Sequence, residues 1–216
     1  MNLGAVPVEQ LAALAAGIVL VVGAVAAGYL WWRRRRARRA VLAKIEAVSA
    51  DYLQDVLLPD GNGGWFHVDF LLLTHSGLVV IDLRDVTGLI FGSEQMTEWA
   101  VMHKSRRFTF PNPLGPLYDR MAVVRSIAGE GVPVDGRVVF TDRGSFPKGH
   151  PRPVTRLASI TTEIPPLASV GGEGLLERLG PAWQQIKSVA SPSPLRRRCV
   201  RRPPPRGRRA RPRPRA

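Results

Sequence analysis

Four charged side chains stand in a stretch dominated by apolar residues, and three of them, Asp69, Asp82 and Arg84, lie within its apolar runs. Residues 65–91 read WFHVDFLLLTHSGLVVIDLRDVTGLIF. Asp69 lies in the first apolar run, Asp82 in the second, and Arg84 two places further on. An unpaired charge among Val, Leu and Ile is costly to bury, so each needs a partner or a task. The guanidinium cannot lose its proton at working pH and so cannot act as a base. It can ion-pair with either carboxylate, or grip a phosphate and offset charge that develops on it.

The elements that carry these residues decide whether they meet. In a strand, Asp82 and Arg84 point to one face, and Ile81 and Leu83 to the other. A connecting loop with an even number of residues brings Asp69 to the same face. A two-residue Ser76-Gly77 turn would set Asp69 opposite Arg84 and Leu71 opposite Asp82; an odd loop would turn Asp69 away. Nearby residues read more plainly. His67 and His75 have no Cys or His at metal-ligand spacing and read as surface. Asp85 reads as a strand-end residue in solvent, and Trp99 as core. Lys104, Arg106 and Arg107 read as a solvated strand edge. Asn112 reads as an organiser of the turn before a helix. The sequence holds no Walker loop, GxGxxG or GxSxG.

The surrounding chain suits one domain with appendages. Its net charge of +14 is concentrated in two short segments, RRRRARR at 33–39 and an Arg/Pro-rich end with eleven arginines in 196–215. Residues 40–195 carry 14 basic and 16 acidic residues, so the body is near neutral. A lone Cys199 excludes an internal disulfide framework and a multi-thiolate zinc site, and fits a reducing compartment. Residues 11–32 are 22 in number and uncharged. As a helix they would run ~33 Å, enough for the ~30 Å hydrocarbon core. Tyr29, Trp31 and Trp32 gather at the end, and the arginines follow. This predicts an uncleaved anchor with residues 1–10 outside, 11–32 spanning, and the body in the cytoplasm.

Residues 33–50 are expected to continue as a basic juxtamembrane helix, with helical spacing clearest over 37–50, and 51–190 to form the domain. Strands are expected near 52–58, 65–74, 78–84, 88–91, 97–102, 106–110, 134–140 and 154–160, and helices near 114–128 and 173–190. In the second helix Leu176, Leu179, Trp183 and Ile186 are expected to face inward. The order predicts an α/β fold with a mixed sheet. The tail, 191–216, cannot build a core and is expected to be disordered. It reads either as a tether for nucleic acid or acidic lipid, or as the out-of-frame end of a GC-rich gene.

The body resembles the NERD (nuclease-related) domain, a branch of the PD-(D/E)xK nuclease-like superfamily. The likeness runs from Val68-Asp69-Phe70-Leu71-Leu72-Leu73, through a turn with Gly77, to Leu78-Val79-Val80-Ile81-Asp82-Leu83-Arg84. It continues with Gly88-Leu89-Ile90-Phe91-Gly92, Trp99, Phe110-Pro111-Asn112-Pro113-Leu114 and Val138-Val139-Phe140-Thr141. It covers about 41–160. The resemblance implies a PD-(D/E)xK-like mixed sheet flanked by helices. It also implies Mg²⁺, with Mn²⁺ as substitute, on Asp69, Asp82 and the main-chain carbonyl of Leu83, for hydrolysis of DNA or RNA. Glu46 is the match for the family's acid on the first helix, and Asn112 for its Asn-Pro-Leu motif.

The departures are specific. The family's Glu-x-Lys is Asp82-Leu83-Arg84, and its usual Gln after the motif Asn is Pro116. Asp reaches about 1–1.5 Å less far than Glu, against Mg–oxygen distances of about 2.0–2.1 Å that tolerate little error. The sequence therefore reads as a membrane-anchored nuclease-related domain with Asp69, Asp82 and Arg84 as its catalytic candidates, which either hydrolyses phosphodiesters or only binds nucleic acid. The alternative is a non-catalytic membrane-anchored scaffold.

Overall fold

The computed structural model describes residues 8–166 and 173–193, with side chains from residue 20 onward except 34, 173, 175 and 176. A long helix, α1 (Val8–Val48), leads into β1 (Asp51–Pro59), β2 (Trp65–Thr74) and β3 (Gly77–Arg84). Three further strands follow: β4 (Gly88–Phe91), β5 (Glu98–His103) and β6 (Arg106–Pro111). Then come α2 (Leu114–Ala128), β7 (Val134–Phe140), β8 (Gly144–Ser145) and β9 (Val154–Arg156). A 3₁₀ turn, Leu157–Ser159, precedes α3 (Ile160–Glu163), α4 (Glu173–Val189) and β10 (Ser191–Pro192).

The strands form two sheets rather than the single mixed sheet expected. A six-stranded sheet runs β10-β1-β2-β3-β7-β9, and a four-stranded one runs β6-β5-β4-β8. The first is antiparallel from β10 to β3 and parallel from β3 to β9. A parallel β3–β7 pair requires a crossover, and α2 lies within it. The second sheet separates at Gly88. Its φ is 127°, its amide donates to the Arg143 carbonyl, and a Cβ there would meet the Met102 carbonyl at 2.4 Å.

Two apolar clusters cover the main sheet. One packs α2 and α4 over β1, β2, β3 and β7, through Leu117, Val124, Leu179, Trp183 and Ile186 against Leu71, Leu73, Leu78 and Val80. The other joins Val41, Ile45 and Val48 of α1 to Phe70, Leu72, Val79, Ile81, Leu157 and Ile160. The interleaving of odd and even positions along β2 and β3 is the expected period-two pattern.

Several boundaries differ from expectation. The strand expected over 154–160 stops at Arg156 and becomes a helical turn. Leu157 and Ile160, three apart, both bury under α1, and Lys44 of α1 donates to the Leu157 and Ala158 carbonyls at 2.8 and 3.1 Å. The segments expected as an anchor and a juxtamembrane helix form one continuous helix, Val8–Val48. Residues 191 and 192, expected to open the tail, pair with β1. The rest of the tail, 194–216, and the side chain of Leu176 lie outside the described residues. Among the described residues, no helix is long and apolar enough to cross a membrane. The side chains of residues 11–19, the first part of the expected span, are not among them.

The β2–β3 connection also differs. Thr74 pairs with Gly77, so the turn is His75-Ser76, one residue earlier than Ser76-Gly77. Gly77 serves the packing of β3 rather than the turn tip. Its φ is 137°, and a Cβ would lie 2.4 Å from the Pro133 carbonyl oxygen, which accepts from the Leu78 amide. Gly77→Ala should therefore destabilise the domain by about 2 kcal/mol or more, from positive φ and the backbone clash together. Urea unfolding of the two proteins measures this.

Candidate functional site

The earlier turn changes which residues face each other. Phe70 pairs with Ile81 and Leu71 with Val80, so the register brings Asp69 opposite Asp82, not opposite Arg84. The loop is still even-numbered.

A second feature sets the direction of Asp69. On β1, Leu53 packs toward the α2 and α4 side, but so do Val56 and Leu58. On β2, Leu71 and Leu73 point that way, and so do Phe66 and Val68. The alternation thus reverses on both strands at one level. Gln54 pairs with Phe70 and Val56 with Val68, which leaves Asp55 and Asp69 facing each other at the reversal. Asp55 holds φ at 55°, a conformation that a few per cent of non-glycine residues adopt and that Asp tolerates better than most. Asp69 is released from the regular face. Its Oδ2 accepts the Leu83 amide at 2.9 Å, in the place of a strand partner.

Asp82 is fully buried, and two arginines answer its charge. Arg84 donates to Oδ2 from Nε at 3.1 Å and from Nη2 at 2.6 Å. Arg120, from α2, brings Nη1 to 3.7 Å of the same oxygen. Arg120 is fixed by its own bonds, from Nε to the His67 carbonyl at 2.6 Å and from Nη1 to the Pro116 carbonyl at 3.0 Å. Burial alone would raise the Asp82 pKa. The charge and hydrogen bonds of Arg84, then the charge of Arg120 and a hydrogen bond with the Asp69 carboxyl, outweigh it and hold the pKa below its ordinary value.

On its other side Asp69 meets His67. His67 Nδ1 lies 3.6 Å from Asp69 Oδ1, and Nε2 lies 2.9 Å from Asp55 Oδ1. One ligand atom from each of Asp55, His67 and Asp69 falls within 4.8 Å of the others, a group that could hold a metal ion. The sequence reading set His67 on the surface. It is instead mostly buried, drawn in by two carboxylates that no motif spacing announces. Arg120 is hidden for the same reason: its position on α2 gives no sign in the sequence that it reaches β2 and β3. The His67-x-Asp69 spacing, two apart in a strand, was the one visible hint.

The other candidates fall elsewhere. Glu46 is exposed on α1, across the sheet from α2, and accepts from the Tyr52 hydroxyl at 3.3 Å. It does not join Asp69 and Asp82. Asn112 donates to the Glu94 and Met96 carbonyls and accepts from the Leu114 amide at 2.9 Å. It ties a loop to the start of α2, as its sequence context suggested. Asp85 is not a solvent cap; it accepts from the Thr141 hydroxyl at 2.7 Å and pairs with Arg143.

Hard oxygen ligands in near-octahedral array suit Mg²⁺. Asp82 has two guanidiniums where such an ion would sit, so Mg²⁺ on the Asp69/Asp82 pair does not fit this arrangement without displacing Arg84. Asp55, His67 and Asp69 form the one cluster of candidate donor side chains among the described residues.

The nuclease-related domain profile matches residues 33–141, half of the chain. An uncharacterized protein of Bacillus anthracis is 20% identical over 118 residues, which cover 53% of this chain and 56% of that protein. The chain thus spans about half the length of that relative. No solved structure matches this chain.

Arg84→Met should leave the Asp82 charge to Arg120 alone and destabilise the protein at neutral pH, by up to about 3–5 kcal/mol, the cost of a buried charge left without a partner. Because the folded pKa of Asp82 is depressed, its contribution is present above the ordinary Asp value of about 3.9 and is lost as pH falls through the folded value. The gap between wild type and variant should therefore narrow in acid. Urea titrations across that range measure both effects.

Proposed function

The chain belongs to the nuclease-related domain family, and from that premise we propose that it binds the phosphodiester backbone of DNA or RNA beside a membrane. Hydrolysis, where it occurs, depends on a divalent metal. The observation that carries this reading is the position of Arg84. Its side chain is 21% exposed at the edge of a buried acid site, and Asp82 engages it through Nε and Nη2. A guanidinium has five N–H donors, so the group that neutralises Asp82 can also present N–H to a phosphate. Asp82 holds its plane fixed, and Arg120 adds positive charge behind it. Both features favour a phosphate over a neutral ligand.

The pairing of Asp82 with two arginines also favours a second reading, a domain that binds without cleaving. The Mg²⁺ expected on Asp69, Asp82 and the Leu83 carbonyl would have to displace Arg84.

Membrane attachment belongs to the same proposal. Leu20, Val21, Val22, Val25, Leu30, Trp31 and Trp32 are all exposed along α1, on every side of the helix, and nothing among the described residues covers them. A helix apolar all round calls for an apolar surrounding. Arg35 lies 5.1 Å over the ring of Trp31 and Arg36 5.4 Å over Trp32, an aromatic and cationic collar of the kind that settles at headgroups. This supports an anchor with the domain on the cytoplasmic side.

Two experiments test the proposal. The purified full chain is mixed with labelled DNA or RNA, with Mg²⁺, Mn²⁺ or no added metal, beside Arg84→Met and Asp82→Asn. We expect salt-dependent binding that weakens at least tenfold in Arg84→Met; cleavage should require metal and be lost in Asp82→Asn. Nucleic-acid binding that ignores Arg84 would sink the site assignment, and absence of any binding would leave the scaffold reading. Separately, the protein should remain in the pellet after carbonate washing of membranes, and release by that wash would exclude the anchor.

A further inference from the structure

Asp55 and His67 lie outside the acid pair that the family likeness points to, and with Asp69, the member they share with it, they form an arrangement with its own logic. His67 is held by its Nε2 on Asp55 Oδ1 at 2.9 Å. If that nitrogen carries the ring proton, Nδ1 presents a lone pair. Nδ1 is fully buried and has no hydrogen-bond partner among the described residues, yet it lies 3.6 Å from a carboxylate oxygen of Asp69. A lone pair facing a carboxylate oxygen in a buried site calls for positive charge between them.

We propose that this space takes a divalent cation of borderline softness, such as Zn²⁺, with His67 Nδ1 and Asp69 Oδ1 as direct ligands. Asp55 is the carboxylate that fixes the histidine tautomer from behind. Metal-bound histidines regularly donate their other N–H to a carboxylate. The spacing agrees with a tetrahedral ion. Two ligands each about 2.0–2.1 Å from Zn²⁺ lie roughly 3.4 Å apart, close to the observed separation. Octahedral Mg²⁺ would need about 3.0 Å and prefers oxygen throughout. The second oxygen of Asp69 is steadied by the Leu83 amide, which orients the carboxylate. Water, or a phosphate oxygen, would complete the coordination. The reversal of side-chain direction at Asp55 is what assembles the group, because a regular β1 would aim this carboxylate elsewhere.

This site stands whether or not the domain cleaves nucleic acid, so its test reads metal binding directly. The full-length protein, in detergent and in a Cys199→Ser background that removes the only thiol, is stripped of metal. It is then titrated with Zn²⁺ by calorimetry and with Co²⁺ by visible absorption. We expect one ion per chain, a tetrahedral Co²⁺ spectrum, and at least tenfold weaker binding of Mg²⁺. His67→Ala should lose affinity about 100-fold or more. Asp55→Asn should lose roughly 10–100-fold, the range for removing a ligand's orienting partner. His67→Gln, which keeps the bulk, guards against misfolding, and thermal melts of the metal-free proteins should match. Absence of stoichiometric Zn²⁺ binding, equal binding of Mg²⁺, or Zn²⁺ affinity unchanged in both His67 variants would each overturn the proposal.

Discussion

Everything around the site follows from one constraint, the burial of the Asp82 carboxylate. A charge at that depth must be paired, and this chain pairs it with guanidiniums. Arg84 reaches it from two residues along the same strand, and Arg120 from the crossing helix. Breaking such a pair is far more damaging than never having built it, because the surviving charge has nowhere to go. The arginine pair therefore ties β3 to α2 electrostatically, just where the apolar packing of Leu117 and Val124 already joins them. It also occupies the position beside Asp82 that a cation would need. In this protein the substitution of Asp-x-Arg for Glu-x-Lys alters more than reach and basicity: the Arg84 side chain folds back onto Asp82.

The second constraint is the reversal at Asp55 and Asp69. A non-glycine residue at φ 55° inside a strand is uncommon, and it coincides with the one level at which β1 and β2 exchange their facing sides. The consequence is chemical. Asp69 turns to the Leu83 amide, and His67 is caught between two carboxylates. Acid groups that a regular sheet would distribute are gathered on either side of Asp69, with one group paired to arginine and the other to histidine. That division separates the part of the site that resembles a phosphate grip from the part that suits a metal.

Much of the fold was legible because it rests on local pattern. The extent of β2, β4, α2 and β7 follows from apolar periodicity and from Gly and Pro at their ends, and the helical spacing of Val41, Ile45 and Val48 marked the face of α1 that buries. The register of β2 on β3 was not legible. Ser76-Gly77 is as good a turn by composition as His75-Ser76, and the observed register goes with a tertiary contact, the Leu78 amide donating to the Pro133 carbonyl of a distant segment. The same holds for the site. Asp69, Asp82 and Arg84 could be named from charge among apolar neighbours, but Arg120 and His67 enter through tertiary approach and a backbone reversal. The split into two sheets was hidden too, since β8 spans two residues and carries no periodic signal.

The central claim is that arginine, not metal, answers Asp82, and that a metal belongs on the other side of Asp69. Anomalous scattering from crystals of the protein soaked in Zn²⁺ or Mn²⁺ tests it most directly. The account predicts one peak within bonding distance of His67 Nδ1 and Asp69 Oδ1, with Arg84 still on Asp82. A peak bridging Asp69 and Asp82, with the Arg84 side chain swung out, would contradict it.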